Sequence, residues 1–286
     1  MFAIIGLLVV VASIIGGYLM VGGHLMVLLQ PAELVIIGGA AVGAFMVSNP
    51  PRVIKGVAGS FGRLVSGPRH GAKDYVELLT MLFAVFRLAK TKGDLALESH
   101  VEKPEQSPLF KKYPNFFKDK EAMTFLCDYL RLLTMGSNNP HELEAVIDEE
   151  LEARKEEKHA VSGALTNMSD ALPALGIVAA VLGVIHTMGS VTEPPEVLGH
   201  LIAAALVGTF LGVLLAYGFV GPIGANLQKS FDDDMRYFVC MKTGLIAHMQ
   251  GYAPQISVEF ARKTLTEDVR PSFADMDKKF ASVQTE

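Results

Sequence analysis

Four stretches of this chain are apolar and free of lysine, arginine, aspartate and glutamate, and this feature limits its fold more than any other. The stretches run from Phe2 to Gly23 and over residues 34–47, 171–188 and 198–222. Because an α-helix rises 1.5 Å per residue, about 20 apolar residues cross the roughly 30 Å hydrocarbon core of a bilayer. We therefore predict an all-α, polytopic membrane protein with four transmembrane helices, of which the second is the shortest.

The positions of the basic residues indicate how these helices are oriented. All 25 lysines and arginines lie either between Arg52 and Lys158 or between Lys229 and Lys279. Loops that stay on the cytoplasmic side of a membrane carry an excess of such residues. We therefore expect both termini in the cytoplasm and only two short loops on the outer side.

The segments between and after the apolar stretches have the pattern of soluble helices. Residues 74–88 carry apolar side chains at three- and four-residue spacing, which predicts an amphipathic helix. Asn138-Asn139-Pro140 predicts the start of another helix that continues to about Lys158. The chain then divides into residues 1–47, the first two spans with a short periplasmic loop; 48–169, a helical cytoplasmic domain; 170–223, spans three and four; and 224–286, C-terminal cytoplasmic helices.

The sequence lacks the motifs of the common enzyme and nucleic-acid-binding classes. It has no glycine-rich phosphate loop, no dinucleotide fingerprint and no nucleophile elbow, so we expect neither catalysis nor a cofactor. Cys127 and Cys240 fall in predicted cytoplasmic segments outside any Cys-x-x-Cys pair, which argues against a disulfide or a metal site. The net charge of −5, without a basic stripe, argues against a nucleic-acid partner.

Ion-conducting proteins usually keep an ionisable side chain inside the hydrocarbon. We expect none near the middle of the membrane in this chain. Glu33 is predicted at the outer mouth of the second span and Asp170 at the inner end of the third, where each would anchor or cap its helix. If the protein conducts ions, another chain must supply the carboxylate on a helix that packs against spans three and four.

Small residues recur at three- and four-residue steps along the third and fourth predicted spans. Such faces allow two helix backbones to approach closely in lipid. Two interpretations stay open: the faces receive a helix of a partner, or they pack against each other within the chain. The residues are Pro173, Gly176, Ala180, Gly183 and Thr187 in the third span, and Ala205, Thr209, Gly212 and Ala216 in the fourth.

The fourth span also carries a recognisable pattern. The segment 205–214, followed after seven residues by Pro222, closely resembles the signature of the MotA family, the A-type subunits of flagellar stators. Further similarity covers residues 16–20, 30–34, 170–180, 251–254 and 270–273, so that the resemblance extends over nearly the whole chain.

The resemblance implies a subunit of the bacterial inner membrane that converts ion-motive force into torque for flagellar rotation. It implies a ring of five A subunits, surrounded by lipid, around two single-span MotB-type subunits that each supply a transmembrane aspartate. In the family, the prolines matching Pro173 and Pro222 flank the ion path and influence how protonation is coupled to movement. We also place Gly176 and Gly212 on this path, as members of the small-residue faces.

A contact with the rotor protein FliG is implied as well. The family presents a basic and an acidic residue to the rotor, and the matching positions are Lys90 and Glu98. Lysine replaces the usual arginine, keeping the charge but losing the planar guanidinium that makes bidentate contacts. The alternative interpretation is that both residues lie on an ordinary solvated helix face.

The identity of the ion is predicted from two positions. The resemblance implies that sodium-driven relatives carry a threonine at the position of Ala180. The hydroxyl of that threonine could replace part of the hydration shell of a sodium ion. Thr209 is shared by both types and does not discriminate. Ala180 therefore favours protons.

Two other functions were weighed against the stator. An energiser of outer-membrane processes similar to ExbB or TolQ shares the five-around-two arrangement, but those proteins resemble three-span proteins with the opposite N-terminal orientation. A self-sufficient transporter or channel would need its own ionisable groups or broken helices around a central site. Four spans and the Pro222 signature favour the stator.

Overall fold

The computed structural model describes residues 2–136 and 139–283, which are largely helical and contain no strand. Asn138 of the predicted helix start and residues 284–286 of the predicted C-terminal segment lie outside the described residues. The α-helices are α1 (Phe2–Met20), α2 (Leu25–Leu28), α3 (Pro31–Ser48), α4 (Pro51–Ser60), α5 (Arg63–Ser66), α6 (Ala72–Lys92), α7 (Glu98–Glu102), α8 (Pro108–Lys111), α9 (Pro114–Lys118), α10 (Lys120–Thr134), α11 (Pro140–Met188), α12 (Pro195–Val213), α13 (Gly221–Met249), α14 (Pro254–Lys263) and α15 (Phe273–Ser282). Two 3₁₀ turns, Asp94–Leu97 and Pro104–Gln106, and a π-helical segment, Leu214–Val220, complete the helical elements.

Prolines mark where many of these helices begin. Helices α3, α4, α12 and α14 each have proline as their first residue. At the first position of a helix, a backbone N–H has no hydrogen-bond partner within the helix, so the N–H that proline lacks costs little stability. The fixed φ of proline also matches the helical conformation. At Pro50-Pro51, α3 has ended at Ser48 and α4 begins at Pro51.

The predicted number of membrane-spanning helices is confirmed. Four helices are long and apolar enough to cross a bilayer: Phe2–Met20, Leu25–Ser48, Pro140–Met188 and Pro195–Met249. The second is longer than the predicted run of 34–47, because the short α2 precedes α3 and belongs to the same apolar region.

Residues 2–67 and 156–231 form one compact unit, which holds the predicted spans. Its centre consists of Ile37 and Ala41 of α3 packed with Leu172 and Ala179 of α11 and with Ala216. Helix α1 buries none of its residues, so its apolar side chains need lipid or other protein chains to cover them.

Residues predicted on the cytoplasmic side of the membrane boundaries also pack within this unit. Val53 and Val57 of α4 lie against Val161, Leu227 and Phe231. The division by contacts therefore assigns 48–67 and 156–169 to the same unit as the spans. The predicted boundaries at 48 and 169 refer to the membrane surface and stay predictions.

Residues 68–155 and 232–283 form the second unit, built around α6. This helix buries ten residues, among them Leu78, Leu82 and Phe86, against α10, α13, α14 and α15. Cys127 and Cys240 are free and lie in this core, and burial raises the pKa of the Cys127 thiol to about 12. That thiol is therefore protonated at neutral pH.

Candidate functional site

The third and fourth spans meet at their glycines. A Cβ atom added to Gly212 would lie 2.7 Å from the carbonyl oxygen of Leu172 and 2.8 Å from the Cα of Gly176. A Cβ added to Gly176 would in turn lie 2.9 Å from the carbonyl oxygen of Gly208. At this level α11 and α12 therefore touch backbone to backbone, and only glycine fits at the contact.

For part of the small-residue faces, this contact favours packing within the chain over packing against a partner helix. Gly183 also packs on Ala205, since an added Cβ would lie 2.7 Å from the Ala205 Cβ. Gly176, Gly183, Ala205 and Gly212 thus serve packing within the chain. That Gly176 and Gly212 also belong to an ion path stays a prediction.

Pro173 lies inside α11 and is half-buried. A proline in a helix interior has no N–H for the carbonyl four residues earlier, which here is that of Ser169. The Ser169 side chain is buried, and its hydroxyl donates a hydrogen bond of 2.9 Å to the carbonyl oxygen of Ala216. The interrupted turn of α11 is thereby tied to the π-helical segment that follows α12.

That π-helical segment ends directly before Pro222. The Gly221 N–H donates to the carbonyl oxygen of Ala216, five residues earlier, and Pro222 follows as an exposed residue in the first turn of α13. In a regular α-helix the Pro222 ring would clash with the carbonyl of Gly218, and the wider π turn avoids this. Since a Cβ added to Gly221 would lie 3.0 Å from the Ser169 Oγ, the two proline-interrupted regions are neighbours.

Ala180 and Thr209 lie a little further along the same pair of helices, and both are half-buried. The backbone nitrogen of Ala180 is 3.2 Å from the position that a Cβ on Gly208 would take. Thr209 is the next residue of α12. The two positions used to predict the ion therefore lie in one region of the α11–α12 contact.

Glu33 is more buried than sequence reasoning predicted. We expected it at a solvated interface, but it is 7% exposed and its Oε2 has no hydrogen-bond partner among the described residues. A Cβ on Gly208 would lie 2.6 Å from this oxygen. The helical spacing could have revealed it, because Glu33, Ile37 and Ala41 follow one another at four-residue steps and form the buried face of α3.

Asp170, the other carboxylate near a predicted span, is exposed in the structure. It lies three residues before Pro173 in α11. No group of three or more histidine, cysteine, aspartate or glutamate residues suited to a metal ion occurs within the described ranges.

The predicted rotor-binding residues lie at one end of α6 and beyond it. Lys90 is exposed in the last turn of α6, and its Nζ donates to the carbonyl oxygen of Gly251 at 3.3 Å. Gly251 has a φ of 89°, which glycine adopts readily and which ends α13. Glu98 is the exposed first residue of α7, after the 3₁₀ turn that follows α6. Both charges are therefore available at the surface of the second unit.

Two family models match the chain. The model described as Motility protein A N-terminal matches residues 4–93. The model of the MotA/TolQ/ExbB proton channel family matches residues 118–238. Together they include Lys90, Pro173 and Pro222, whereas Glu98 lies in the segment 94–117 between the two matches.

Relatives and solved structures extend the match to the whole chain. Motility protein A of Salmonella typhimurium and that of Escherichia coli are each 42% identical over 284 residues, covering 99% of this chain and 96% of the relative. Chemotaxis protein LafT of Vibrio parahaemolyticus is 35% identical over 274 residues and 96% of both chains. The C. jejuni MotAB structure matches with a TM-score of 0.78 at 20% identity, covering 95% of this chain and 98% of that one. The flagellar MotAB stator complex of Bacillus subtilis matches with a TM-score of 0.73 at 24% identity, covering 98% of both.

Proposed function

The chain belongs to the motility protein A family, within the MotA/TolQ/ExbB proton channel family, and on this premise we propose that it is the A-type stator subunit of a bacterial flagellar motor. The observation that carries the proposal is the glycine contact between α11 and α12, with proline-interrupted turns from both helices beside it. The match of residues 4–93 to a motility protein A model favours this function over an ExbB- or TolQ-like energiser.

The proposed partners follow from the transmembrane aspartate that this chain does not itself provide. A single-span MotB-type subunit supplies the transmembrane aspartate that binds the ion, and five copies of this chain surround two copies of that subunit. The apolar α1, which buries nothing in the isolated chain, supports further contacts with lipid and with other chains. The Bacillus subtilis structure with the same fold is a MotAB complex.

The orientation in the bacterial inner membrane follows from the basic residues. With residues 48–169 and 224–286 in the cytoplasm, all 25 lysines and arginines are on the inner side, and both termini are cytoplasmic. The loops before α3 and between α11 and α12 then face the periplasm.

The proposed mechanism uses the two interrupted turns. Protonation of the partner's aspartate removes a buried charge and changes how its helix packs on α11 and α12. Turns interrupted at Pro173 and Pro222 have fewer backbone hydrogen bonds to break, so these spans bend there more readily than regular helices. The closely packed Gly176 and Gly212 transmit the bend between the spans, and the ring steps around the partner pair.

Protons are the proposed ion, because Ala180 has no oxygen with which to replace a hydration shell, while Thr209 alone supplies one hydroxyl. Each step is passed to the rotor protein FliG through Lys90 and Glu98, which are exposed and oppositely charged.

The test is complementation of a stator-deleted strain with this chain and its B-type partner. We expect the wild-type pair to restore swimming and Pro173→Ala to reduce it without loss of membrane insertion. Pro195→Ala is the matched control, since Pro195 is the first residue of α12 and interrupts no turn. Correct insertion and co-assembly of the wild-type pair without any swimming would refute the stator function and favour the outer-membrane energiser.

A further inference from the structure

Glu33 is a buried carboxyl group that the proposed mechanism does not use. Its Oε2 is enclosed without a hydrogen-bond donor among the described residues and lies against Gly208. The other atoms beside Gly208 are the Cβ of Ala179 and the backbone nitrogen of Ala180, at 3.1 and 3.2 Å from an added Cβ. No side chain with a hydroxyl, amide or positive charge is among these closest neighbours.

The packing partners show how deep this group lies. Gly208 is about 20 Å along α12 from its first residue, and Ala180 is about 12 Å along α11 from its last, at 1.5 Å per residue. The Glu33 carboxyl group therefore packs well inside the predicted membrane-spanning parts of α11 and α12, although Glu33 is only the third residue of α3. An unpaired carboxylate is costly there, and residues of this kind are usually retained for function.

Other titratable groups on the elements packed around Glu33 lie elsewhere. In the predicted membrane-spanning parts of α11 and α12 they are Asp170, His186, Glu196 and His200, and all four are exposed. None is joined to Glu33 by an ion pair or hydrogen bond within the described residues. Within the described residues, Glu33 therefore has no ion-pair or hydrogen-bond partner that would hold its charge.

We propose that Glu33 is a second proton-binding site on the ion path, which collects protons from the periplasmic side and passes them towards the aspartate of the partner. The proposal rests on the stator function proposed above. In each cycle the Glu33 carboxylate takes a proton from a hydronium ion, which leaves as water, and then gives this proton to another water molecule. The hydronium ion formed in that step protonates the partner's aspartate and becomes water again. The group ends each cycle as it began, so no further reactant is needed.

This role predicts a dependence on external pH rather than a requirement for rotation. When protons are abundant outside, the partner's aspartate is filled directly and Glu33 adds little. When protons are scarce, a site that holds a proton near the path raises the rate at which the aspartate is filled. The position beside Ala180 and Gly208 also places Glu33 in the region that we associate with ion choice.

The experiment measures the rotation speed of beads on flagella of a stator-deleted strain that produces this chain with its B-type partner. Speed is recorded from acidic to alkaline external pH at a fixed proton-motive force. Glu33→Gln keeps the shape of the side chain but cannot titrate, and Glu33→Asp keeps a titrating group. Glu196→Gln is the control, because it removes an exposed carboxylate at the start of α12.

We expect Glu33→Gln to match wild type at acidic pH and to fall to about half the wild-type speed or less at alkaline pH, with Glu33→Asp in between and the control unchanged. A constant ratio of Glu33→Gln to wild-type speed at all pH values would overturn the proposal and leave Glu33 a packing residue. If Glu33→Gln fails to insert, Gly208→Ala, which displaces the Oε2, is tested in the same way and decides by the same criterion. Failure of the wild-type pair to rotate beads at all would refute the stator function itself.

Discussion

Single residues determine how closely the third and fourth spans approach. At Gly212 an added methyl group would meet backbone atoms of Leu172 and Gly176, and backbone cannot move aside as the end of a side chain can. Gly199, in the same helix α12, has nothing within 4 Å of an added Cβ. Both glycines thus belong to one helix, but Gly212 has no room for a larger side chain whereas Gly199 has.

We predict that Gly212→Ala destabilises the chain by about 1–3 kcal/mol through overpacking, whereas Gly199→Ala is neutral or slightly stabilising because alanine favours helix. Thermal unfolding of the purified, detergent-solubilised protein and its yield in the membrane measure both. Equal stability of the two variants would show that the spans can separate without cost.

A buried pair in the second unit links another residue to pH. Asp119 accepts hydrogen bonds from the backbone N–H groups of Glu121 and Ala122 at the start of α10, and its Oδ2 lies 2.8 Å from the Nε2 of His70. Burial by itself would raise the pKa of Asp119, but the hydrogen bonds from His70 and Ala122 and the nearby charge of Arg69 outweigh it and hold the pKa below its usual range. The stabilisation is therefore present above the unfolded-state pKa and is lost as pH falls through the folded-state pKa.

We predict that Asp119→Asn flattens the loss of thermal stability on acidification, because the variant no longer takes up this proton on unfolding. Asparagine still caps a helix, so the comparison isolates the charge. Tm measured over a series of acidic pH values tests this, with Asp128→Asn, an exposed position of α10, as control. Parallel pH profiles for wild type and Asp119→Asn would contradict it.

Among the elements, the π-helical segment before Pro222 is the least regular part of the fourth span. Its turn is stabilised by the Gly221 N–H and the Ser169 hydroxyl, which both donate to the Ala216 carbonyl. Because the segment connects α12 to α13, the proposed mechanism requires it to carry a movement of the fourth span into α13.

We predict that Pro222→Ala lets this segment become a regular α-helix, since alanine supplies the missing N–H and removes the ring. Membrane insertion should be unchanged while swimming speed falls, and amide hydrogen exchange in 214–222 should slow. Pro254→Ala, at the first residue of α14, is the matched control. Unchanged swimming together with slower exchange would exclude a coupling role for the irregular turn.

For the whole molecule, the proposed function depends on transferring movement to the rotor through exposed charges. Lys90 is already tethered to the Gly251 carbonyl, whereas Glu98 begins a short helix beyond the 3₁₀ turn. Salt screens the attraction between such charges and so reduces the distance over which they interact.

We predict that the double variant Lys90→Glu, Glu98→Lys sharply reduces torque and that reversing the matching charges on the rotor protein restores part of it. Binding of the purified stator to the rotor protein should weaken as salt rises. Lys92→Glu, an exposed change in the same helix, serves as control. Full torque in the double variant would show that these residues are ordinary solvated positions.

The sequence by itself determined the helical class and the four spans, because the length of apolar runs is a property of the chain read residue by residue. The placement of lysine and arginine predicts which segments are cytoplasmic. The sequence also identified Pro173, Pro222 and the glycines of the third and fourth spans. Only the tertiary structure decided that Gly176 and Gly212 contact each other and that Glu33 is buried, because both depend on which helices pack together. The four-residue spacing of Glu33, Ile37 and Ala41 marks one face of α3, but only the packed structure shows that this face lies against Gly208 of α12, because that contact joins residues far apart in the chain.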